Sequence, residues 1–395
     1  MPRKTIGRRR FMRVAAGSSL GLTGWLGQGC AGSRGGVADS PAGSASSGAS
    51  PSPENAPIFT PKVNGGINLQ PVRRLDPDQN ERDLVIVPEL VALQLRTVYE
   101  LGFDGIRLTV PYGDRANFVG AIPYVRAARA LGIDAVVVLS NFSGLVMARV
   151  LFDVRTRLKV LKLYDTLLAT PPDPAAADAG GLAPRGVGRI AFQILNEPAL
   201  FFGIPPDVYV RELLGPCHAD LHELNPQIIV VAAAEVGTLD GPPRMRAMFE
   251  AGLEDACDRV AFHIYDPAVI PALSANVKGL VWVTESGAAG TERHLSWVRD
   301  TDEEIRAQLP DVSRIFHFDL YDPDRGKYRL IDLQGQGANY RAVAESADLY
   351  AYFAGNVAKA AAGRPLLPFE KLIPDIRAYF PTPADVQAYD AVYSP

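Results

Sequence analysis

Cysteine is scarce in this 395-residue chain, which contains only three. Cys217 and Cys257 are the two that lie beyond the N-terminal segment, and so few thiols exclude a disulfide-stapled scaffold. In an oxidising compartment these two thiols either pair or stay free, because the distance between them cannot be read from the sequence.

Basic clusters and long apolar runs are also absent after residue 29. The formal net charge is −4, and the first 29 residues hold six Lys and Arg without an acid, so the remainder is more acidic still. An acidic chain without basic clusters argues against nucleic-acid binding and against docking on an anionic membrane surface. Beyond the N-terminal segment no run is long and apolar enough to span a bilayer.

Residues 1–29 are typical of an export signal, because the cations precede an apolar stretch that is too short to cross a membrane. The stretch "GRRRFMRV" indicates a twin-arginine signal; general secretion with a chance basic region is the alternative. Cys30 follows "WLGQG" at the place where a lipoprotein signal is cut, so we expect lipid attachment there. The alternative is an ordinary cleaved, soluble protein. A lipid anchor at Cys30 is thus the only membrane contact that we expect.

The composition divides the rest of the chain into three parts. Residues 30–57 form a linker rich in Ala, Gly, Ser and Pro, which cannot bury enough apolar surface to fold. Residues 58–364 are long enough for one large domain with a sizeable core. The tail, 365–395, is rich in Pro and aromatic residues, and we expect it to pack along the domain wall.

Short apolar runs alternate with helix-like segments throughout this domain. Eight runs have the length and composition of buried strands: 65–70, 104–110, 134–140, 189–195, 227–234, 259–265, 279–285 and 314–320. Segments such as "PELVALQLRTVYELG" between them have helical spacing of apolar residues and end in Gly. The count of eight predicts an α/β fold, a (β/α)8 TIM barrel. An open doubly wound sheet is the alternative, but no Gly-rich phosphate fingerprint follows the first strand.

Polar residues stand at the carboxyl ends of these strands, where barrel enzymes carry their chemistry. Glu197 in "ILNEP" and Glu285 in "WVTESG" each directly follow a hydrophobic strand, the fourth and the seventh. The other strand-end residues are Asn68, Arg107, Asn141, Asn196, Glu235, His263, Tyr265 and Asp319.

With Asn-Glu-Pro after the fourth strand, "FHIYDP" after the sixth and "TESG" after the seventh, the chain resembles the clan A retaining glycoside hydrolases, the cellulase-like (β/α)8 barrels. The resemblance implies cleavage of a β-linked glycan or glycoside, a carbohydrate substrate, and no metal or organic cofactor. It implies that Glu197 is the acid/base and Glu285 the nucleophile. Its remaining implications are substrate-site roles for Asn196, at the sugar 2-hydroxyl, and for Arg107, His263 and Tyr265.

The chemistry of glycoside hydrolysis agrees with two carboxyl groups in different states. The leaving oxygen needs a proton, while the oxocarbenium-like centre needs electron density. Two neighbouring carboxylates resist ionising together, so we expect Glu197 to hold the proton and Glu285 the charge. Asn141 is predicted to face the substrate from the third strand end, and Glu235 either faces it or caps the next helix.

Two departures from the resembled group leave other functions open. At the end of the eighth strand, the resembled group commonly has a Trp that forms the floor of the sugar site, whereas this chain has His317, Phe318 and Tyr321. The end of the third strand lacks the His that the group often has nearby. A carbohydrate-binding barrel without turnover is therefore the alternative function. A metal-dependent hydrolase is weaker, because none of the five histidines are grouped at strand ends. The stretch "HADLH" has Ala219 where a zinc protease has Glu, so we expect an ordinary surface face.

Overall fold

A computed structural model describes residues 58–71, 73–75, 84–111, 115–140, 154–168, 187–275, 277, 279–309, 311–321, 327–335 and 339–393. The export signal at 1–29, the lipidation site at Cys30, the rest of the linker to 57, and Asn141 lie outside these residues. Those four predictions remain predictions.

Eight parallel strands form one sheet, as the sequence predicts. They are β1 (Gly66–Asn68), β2 (Gly105–Pro111), β3 (Asp134–Ser140), β4 (Ile190–Ile194), β5 (Ile229–Val231), β6 (Val260–Ile264), β7 (Val281–Ser286) and β8 (Val312–His317). Their order is β5-β4-β3-β2-β1-β8-β7-β6. A parallel bridge between Val231 and Arg259 joins the two outer strands, so the sheet closes on itself. The fold is a (β/α)8 TIM barrel, and all eight strand predictions are confirmed.

The strands bury both faces, which explains why they read as nearly continuous apolar runs. Every residue of β3, "DAVVVLS", is buried. Alternate side chains fill the barrel interior, and the intervening ones pack outward against the helices. The interior cluster contains Val136, Ala191, Ile229, Val231, Ala234, Ala261, Trp282 and Phe316. A Cβ at Gly66 of β1 would collide with the ring of Phe316, so glycine lets that ring fill the interior.

Helices follow the strands and form the outer layer. The α-helices are Pro88–Glu100, Arg115–Ala130, Val154–Leu168, Pro198–Phe202, Pro206–Val208, Gly215–Leu224, Gly241–Glu250, Ile270–Ser274, Thr291–Ser296, Asp302–Gln308, Ala347–Ala361, Phe369–Leu372 and Pro383–Tyr393. π-Helical turns at Tyr209–Leu214 and Trp297–Thr301 join some of them, and 3₁₀ turns lie at Leu253–Asp255, Pro267–Val269 and Ile376–Tyr379. None of the helices in the described ranges is both long and apolar enough to cross a bilayer.

Two short antiparallel pairs lie outside the barrel, Arg73–Leu75 with Leu84–Ile86 and Ile331–Gln334 with Arg341–Ala344. In the C-terminal segment, the ring of Tyr389 stacks on that of Phe118, with centroids 4.8 Å apart. Cys217 and Cys257 are both buried free thiols, and burial raises the pKa of each to about 12.

Candidate active site

The polar side chains at the carboxyl ends of β1, β2, β4, β6 and β7 meet in one buried network. Its centre is the guanidinium group of Arg107, which points into the barrel from β2 and is almost fully buried. Nη1 donates to Glu285 Oε1 at 2.8 Å and to Asn68 Oδ1 at 2.7 Å. Nη2 donates to Asn196 Oδ1 at 2.8 Å, and Nε donates to Gln193 Oε1 at 2.9 Å. A buried cation needs such partners, so Arg107 links β1, β2 and β4 to Glu285 of β7.

Glu285 faces the interior because β7 contains an extra residue. Ala261 of β6 pairs with Trp282, but His263 pairs with Glu285, so β7 places one residue more between the two pairs. Strict alternation would put Thr284 on the inner face beside Trp282 and turn Glu285 outward. The bulge reverses that order for Glu285, a frequent arrangement next to active sites.

Both oxygens of the Glu285 carboxyl group are hydrogen-bonded. Arg107 Nη1 donates to Oε1, and the Tyr265 hydroxyl donates to Oε2 at 2.6 Å. His263 Nε2 lies 3.4 Å from Oε1. A neighbouring cation and two hydrogen-bond donors favour the charged form of a carboxyl group, so the chemistry of the site makes Glu285 an anion.

Glu197 reaches the same centre from a strained turn after β4. Leu195 and Glu197 both have left-handed backbone, at φ 67° and φ 46°, which non-glycine residues rarely adopt outside functional sites. The turn buries Leu195 in the outer core, and the backbone N–H of Glu197 donates to Ala234 O at 3.0 Å. Oε1 of Glu197 lies 2.9 Å from Nδ1 of His263. No cation of Lys or Arg pairs with Glu197 among the described residues.

His263 stands between the two acids with its side chain fully buried. Nδ1 faces Glu197 and Nε2 faces Glu285, while both carboxyl groups keep one tenth of their side-chain surface exposed. A neutral imidazole carries one N–H and one acceptor nitrogen. The 2.9 Å hydrogen bond between Nδ1 and Glu197 Oε1 can run in either direction, because the donor depends on which ring nitrogen carries the proton.

The carboxyl group of Glu235 contacts a backbone N–H group and an arginine, and it does not line the site. Its side chain is 0% exposed. Oε1 accepts a hydrogen bond from the backbone N–H of Ala199 at 3.0 Å, and Oε2 lies 3.5 Å from Nη1 of Arg244. Burial raises the pKa of Glu235, and the contacts with Ala199 and Arg244 only partly oppose it. The sequence left open a substrate contact or a cap on the helix after Glu235; the observed contact is instead with Ala199, the second residue of the helix Pro198–Phe202 that directly follows Glu197.

Gln193 belongs to this network but is not among the predicted site residues. It is fully buried inside the barrel. Its Oε1 accepts from Arg107, while its Nε2 donates to Leu195 O at 3.0 Å and to Asn196 Oδ1 at 3.2 Å. The signal that could have found it is the period of two in β4, which puts Gln193 on the same face as Ala191.

The aromatic residues near the site form a group around Tyr265. The centroid of its ring lies 5.9 Å from that of Phe318 and 6.0 Å from that of Tyr328. Phe318 follows β8, and its peptide bond to Asp319 is cis. In the helix Pro198–Phe202, Phe201 is half exposed whereas Phe202 is buried in the core.

No protein-family model matches the sequence, and no curated protein is significantly similar to it. Solved structures that overlay on the chain do so at low similarity. Cel5A of Thermotoga maritima, solved with cellobiose, has 15% identity and a TM-score of 0.43 over 68% of this chain and 91% of that chain. A glucosidase of Croceicoccus marinus has 12% identity and a TM-score of 0.42 over 67% of this chain and 61% of that chain.

A third overlay is with the GH99 endo-α-mannosidase of a Bacteroides species, at 11% identity and a TM-score of 0.41 over 70% of this chain and 86% of that chain. Overlays at this level carry no argument about activity. The assignment of the barrel rests on the strand order of the chain itself.

Proposed function

We propose that this protein is a retaining glycoside hydrolase that cleaves a β-linked glycan or glycoside, with Glu285 as nucleophile and Glu197 as acid/base. The observation that carries the proposal is the asymmetry between two acids that share one imidazole. Glu285 is paired with Arg107 and Tyr265, whereas Glu197 pairs only with His263 among the side chains that the structure describes. One acid is thus held charged and the other is left able to carry a proton.

In the first step, a carboxylate oxygen of Glu285 attacks the anomeric carbon as the glycosidic C–O bond breaks. The departing oxygen takes the proton of Glu197, which becomes a carboxylate. Direct attack needs carboxyl groups about 5–5.5 Å apart. Both carboxyl groups lie beside the ring of His263, with Glu197 Oε1 2.9 Å from Nδ1 and Glu285 Oε1 3.4 Å from Nε2.

In the second step, water attacks the anomeric carbon and the ester bond to Glu285 breaks. Glu197 accepts the proton of the water and returns to its starting state. Because Glu285 is neutral while it is an ester, Glu197 stays charged and basic during this step. Two inversions at the same carbon give net retention.

Asn196 fits the role of a contact to the sugar hydroxyl beside the reacting carbon. Its Oδ1 accepts from Arg107 Nη2 and Gln193 Nε2. Its Nδ2 donor is therefore directed elsewhere, and it has no acceptor among the described residues. A hydroxyl group of the substrate would supply that acceptor. The β-configuration comes from the sequence resemblance alone.

The test is hydrolysis of a panel of aryl β-glycosides, from monosaccharides to cello-, manno- and xylo-oligosaccharides, by four proteins. The wild type should turn over at least one substrate, and Glu285→Gln and Glu197→Gln should each lose at least about 100-fold in kcat. Glu250→Gln, an exposed acid remote from the strand ends, is the control and should keep full activity.

Calorimetric measurement of binding to the same oligosaccharides distinguishes an enzyme from a carbohydrate-binding barrel without turnover. Saturable binding without turnover by the wild type would overturn the proposal in favour of the binding barrel. Equal turnover by Glu285→Gln and Glu250→Gln would overturn the assigned roles.

We further propose export through the twin-arginine signal and lipid attachment at Cys30, which rest on the sequence of the first 30 residues. Membrane fractionation of the wild type and of Cys30→Ala tests this. The wild type should stay with the membrane, and Cys30→Ala should become soluble.

A further inference from the structure

A second cluster of chemically active side chains lies away from the two acids. His218 and His222 stand one turn apart on the helix Gly215–Leu224, with their ring centroids 4.2 Å apart. Both face Asp258. Nε2 of His218 lies 3.4 Å from Oδ1, and Nε2 of His222 lies 3.0 Å from Oδ2. One ligand atom from each residue can be chosen so that all three lie within 4.8 Å of one another.

This cluster lies at the amino end of the barrel, opposite the strand ends that carry Glu197 and Glu285. Asp258 precedes β6, and its Oδ2 accepts a hydrogen bond from the backbone N–H of Val230 in β5 at 2.7 Å. Nε2 of His222 lies 3.2 Å from the carbonyl oxygen of Ile228, directly before β5. The cluster therefore joins one outer helix to the start of two adjacent strands.

The three side chains are close enough together to share one ion. With bonds of about 2.0–2.2 Å to nitrogen and oxygen, the ligand atoms of tetrahedral zinc lie about 3.3–3.5 Å apart. Nε2 of His218 lies 3.4 Å from Oδ1 of Asp258, within that range, and Nε2 of His222 lies 3.0 Å from the other oxygen, Oδ2, slightly below it. Two imidazoles with one carboxylate suit a divalent ion.

We propose that His218, His222 and Asp258 bind a divalent transition-metal ion of the zinc type at the amino end of the barrel. The ion fastens the helix Gly215–Leu224 to β5 and β6. Its fourth ligand is a water molecule, because the three side chains keep 23%, 31% and 26% of their surface exposed. The proposal does not depend on the glycosidase function, and it revises the expectation that "HADLH" is an ordinary surface face. The third ligand is 36 residues from His222, so no short motif reveals it.

The test is equilibrium dialysis of the full chain, purified through a tag that contains no histidine, against micromolar Zn²⁺, with metal content measured by mass spectrometry. The wild type should retain one Zn²⁺ per chain, and its thermal midpoint should rise by several degrees with Zn²⁺. Mg²⁺ at the same concentration should leave the midpoint unchanged, since Mg²⁺ prefers oxygen ligands. His218→Gln and His222→Gln should fall to the metal content of a protein-free blank.

His294→Gln is the matched control, because His294 lies on another helix and bonds Lys327 O. It should bind as much Zn²⁺ as the wild type. Absence of Zn²⁺ from the wild type, or equal Zn²⁺ in the wild type, His218→Gln and His222→Gln, would overturn the proposal. If a His variant does not fold, the absorption spectrum of the Co²⁺-loaded wild type decides. Intense visible bands of a four-coordinate site support the proposal, and the weak spectrum of six-coordinate Co²⁺ contradicts it.

Discussion

Glu197 and Glu285 contact the two nitrogens of one imidazole ring, with Glu197 Oε1 2.9 Å from Nδ1 of His263 and Glu285 Oε1 3.4 Å from Nε2. The two acids nevertheless have different surroundings. Of the two acids, Glu285 is the one that accepts hydrogen bonds from Arg107 and from the Tyr265 hydroxyl. The proposed chemistry follows from this difference, and the predictions below change its components one at a time.

Replacing Arg107 by Met should abolish most activity and weaken the fold. Glu285 would lose its cation inside the barrel, and breaking a buried pair by removing one partner costs about 3–5 kcal/mol in the free energy of unfolding. We expect kcat to fall by at least about 100-fold. Urea unfolding and kcat measure the two effects. Arg115→Met is the control, because Arg115 pairs with Asp390 on the exposed surface, where such a pair contributes less than about 1 kcal/mol. Similar losses in both variants would contradict a special role for Arg107.

Tyr265→Phe removes a single hydrogen bond to the nucleophile. Hydrogen bonds to charged groups contribute about 1.5–3 kcal/mol, which corresponds to about 10- to 100-fold in kcat. Tyr99→Phe is the control for loss of a buried hydroxyl, since its partner is Leu367 O far from the acids. That variant should lose about 1 kcal/mol of stability and no activity. An active Tyr265→Phe would mean that the hydroxyl does not support Glu285.

Glu235 is predicted to position Glu197 through the backbone of Ala199. Glu235→Ala removes the acceptor for the Ala199 N–H, and we expect kcat to fall by about 10-fold with little change in KM. Glu235→Gln keeps an acceptor oxygen and should restore most of kcat. Burial raises the pKa of Glu235, so its charged form destabilises the fold as pH rises, and the Gln variant should be no less stable at pH 7. An inactive but folded Gln variant would show that the carboxylate itself is required.

The contribution of the buried, neutral His317 to stability should fall as the solution becomes acidic, while Asp302, whose pKa burial raises to about 7, contributes in the opposite direction. Burial lowers the pKa of His317 to about 4, whereas the unfolded chain binds a proton near 6.5. Between these values the unfolded state holds one proton more, so the free energy of unfolding decreases as pH falls from 6.5 to 4. From pH 7 to pH 5 the loss should be about 2 kcal/mol.

Urea unfolding of wild type and His317→Gln at both pH values measures this loss. The difference between the two proteins measures the loss of His317 together with its contact to Asp302, because Nε2 lies 3.8 Å from Oδ2 of Asp302, a carboxyl group whose pKa burial raises to about 7. Identical pH dependence in the two proteins would contradict the prediction.

The strands and the two acids could be predicted from the sequence because each rests on a local pattern. Buried strands produce apolar runs, and Glu197 and Glu285 directly follow such runs. The orientation of these acids could not be predicted, since it depends on the extra residue in β7 and on left-handed backbone at Leu195 and Glu197. Both features depend on pairing with neighbouring strands and on tertiary packing. The periodicity of a single sequence carries no information about either.

Contacts between distant segments were also beyond the sequence. Gln193 reads as a polar interruption in a strand, and only the closed barrel brings it to Arg107. Asp258 meets His218 and His222 because β5 and β6 are neighbours. The hydrogen bond between the Ala199 N–H and Glu235 likewise depends on the fold, because it joins the segments that follow β4 and β5.

Trapping the covalent intermediate tests the central claim most directly. Once the panel of aryl glycosides identifies a substrate, the matching 2-deoxy-2-fluoro glycoside with a dinitrophenyl leaving group should inactivate the enzyme. Peptide mass spectrometry should then find one fluorosugar attached to Glu285. Turnover of the parent substrate with no adduct, or an adduct on another residue, would contradict Glu285 as the nucleophile of a retaining glycosidase.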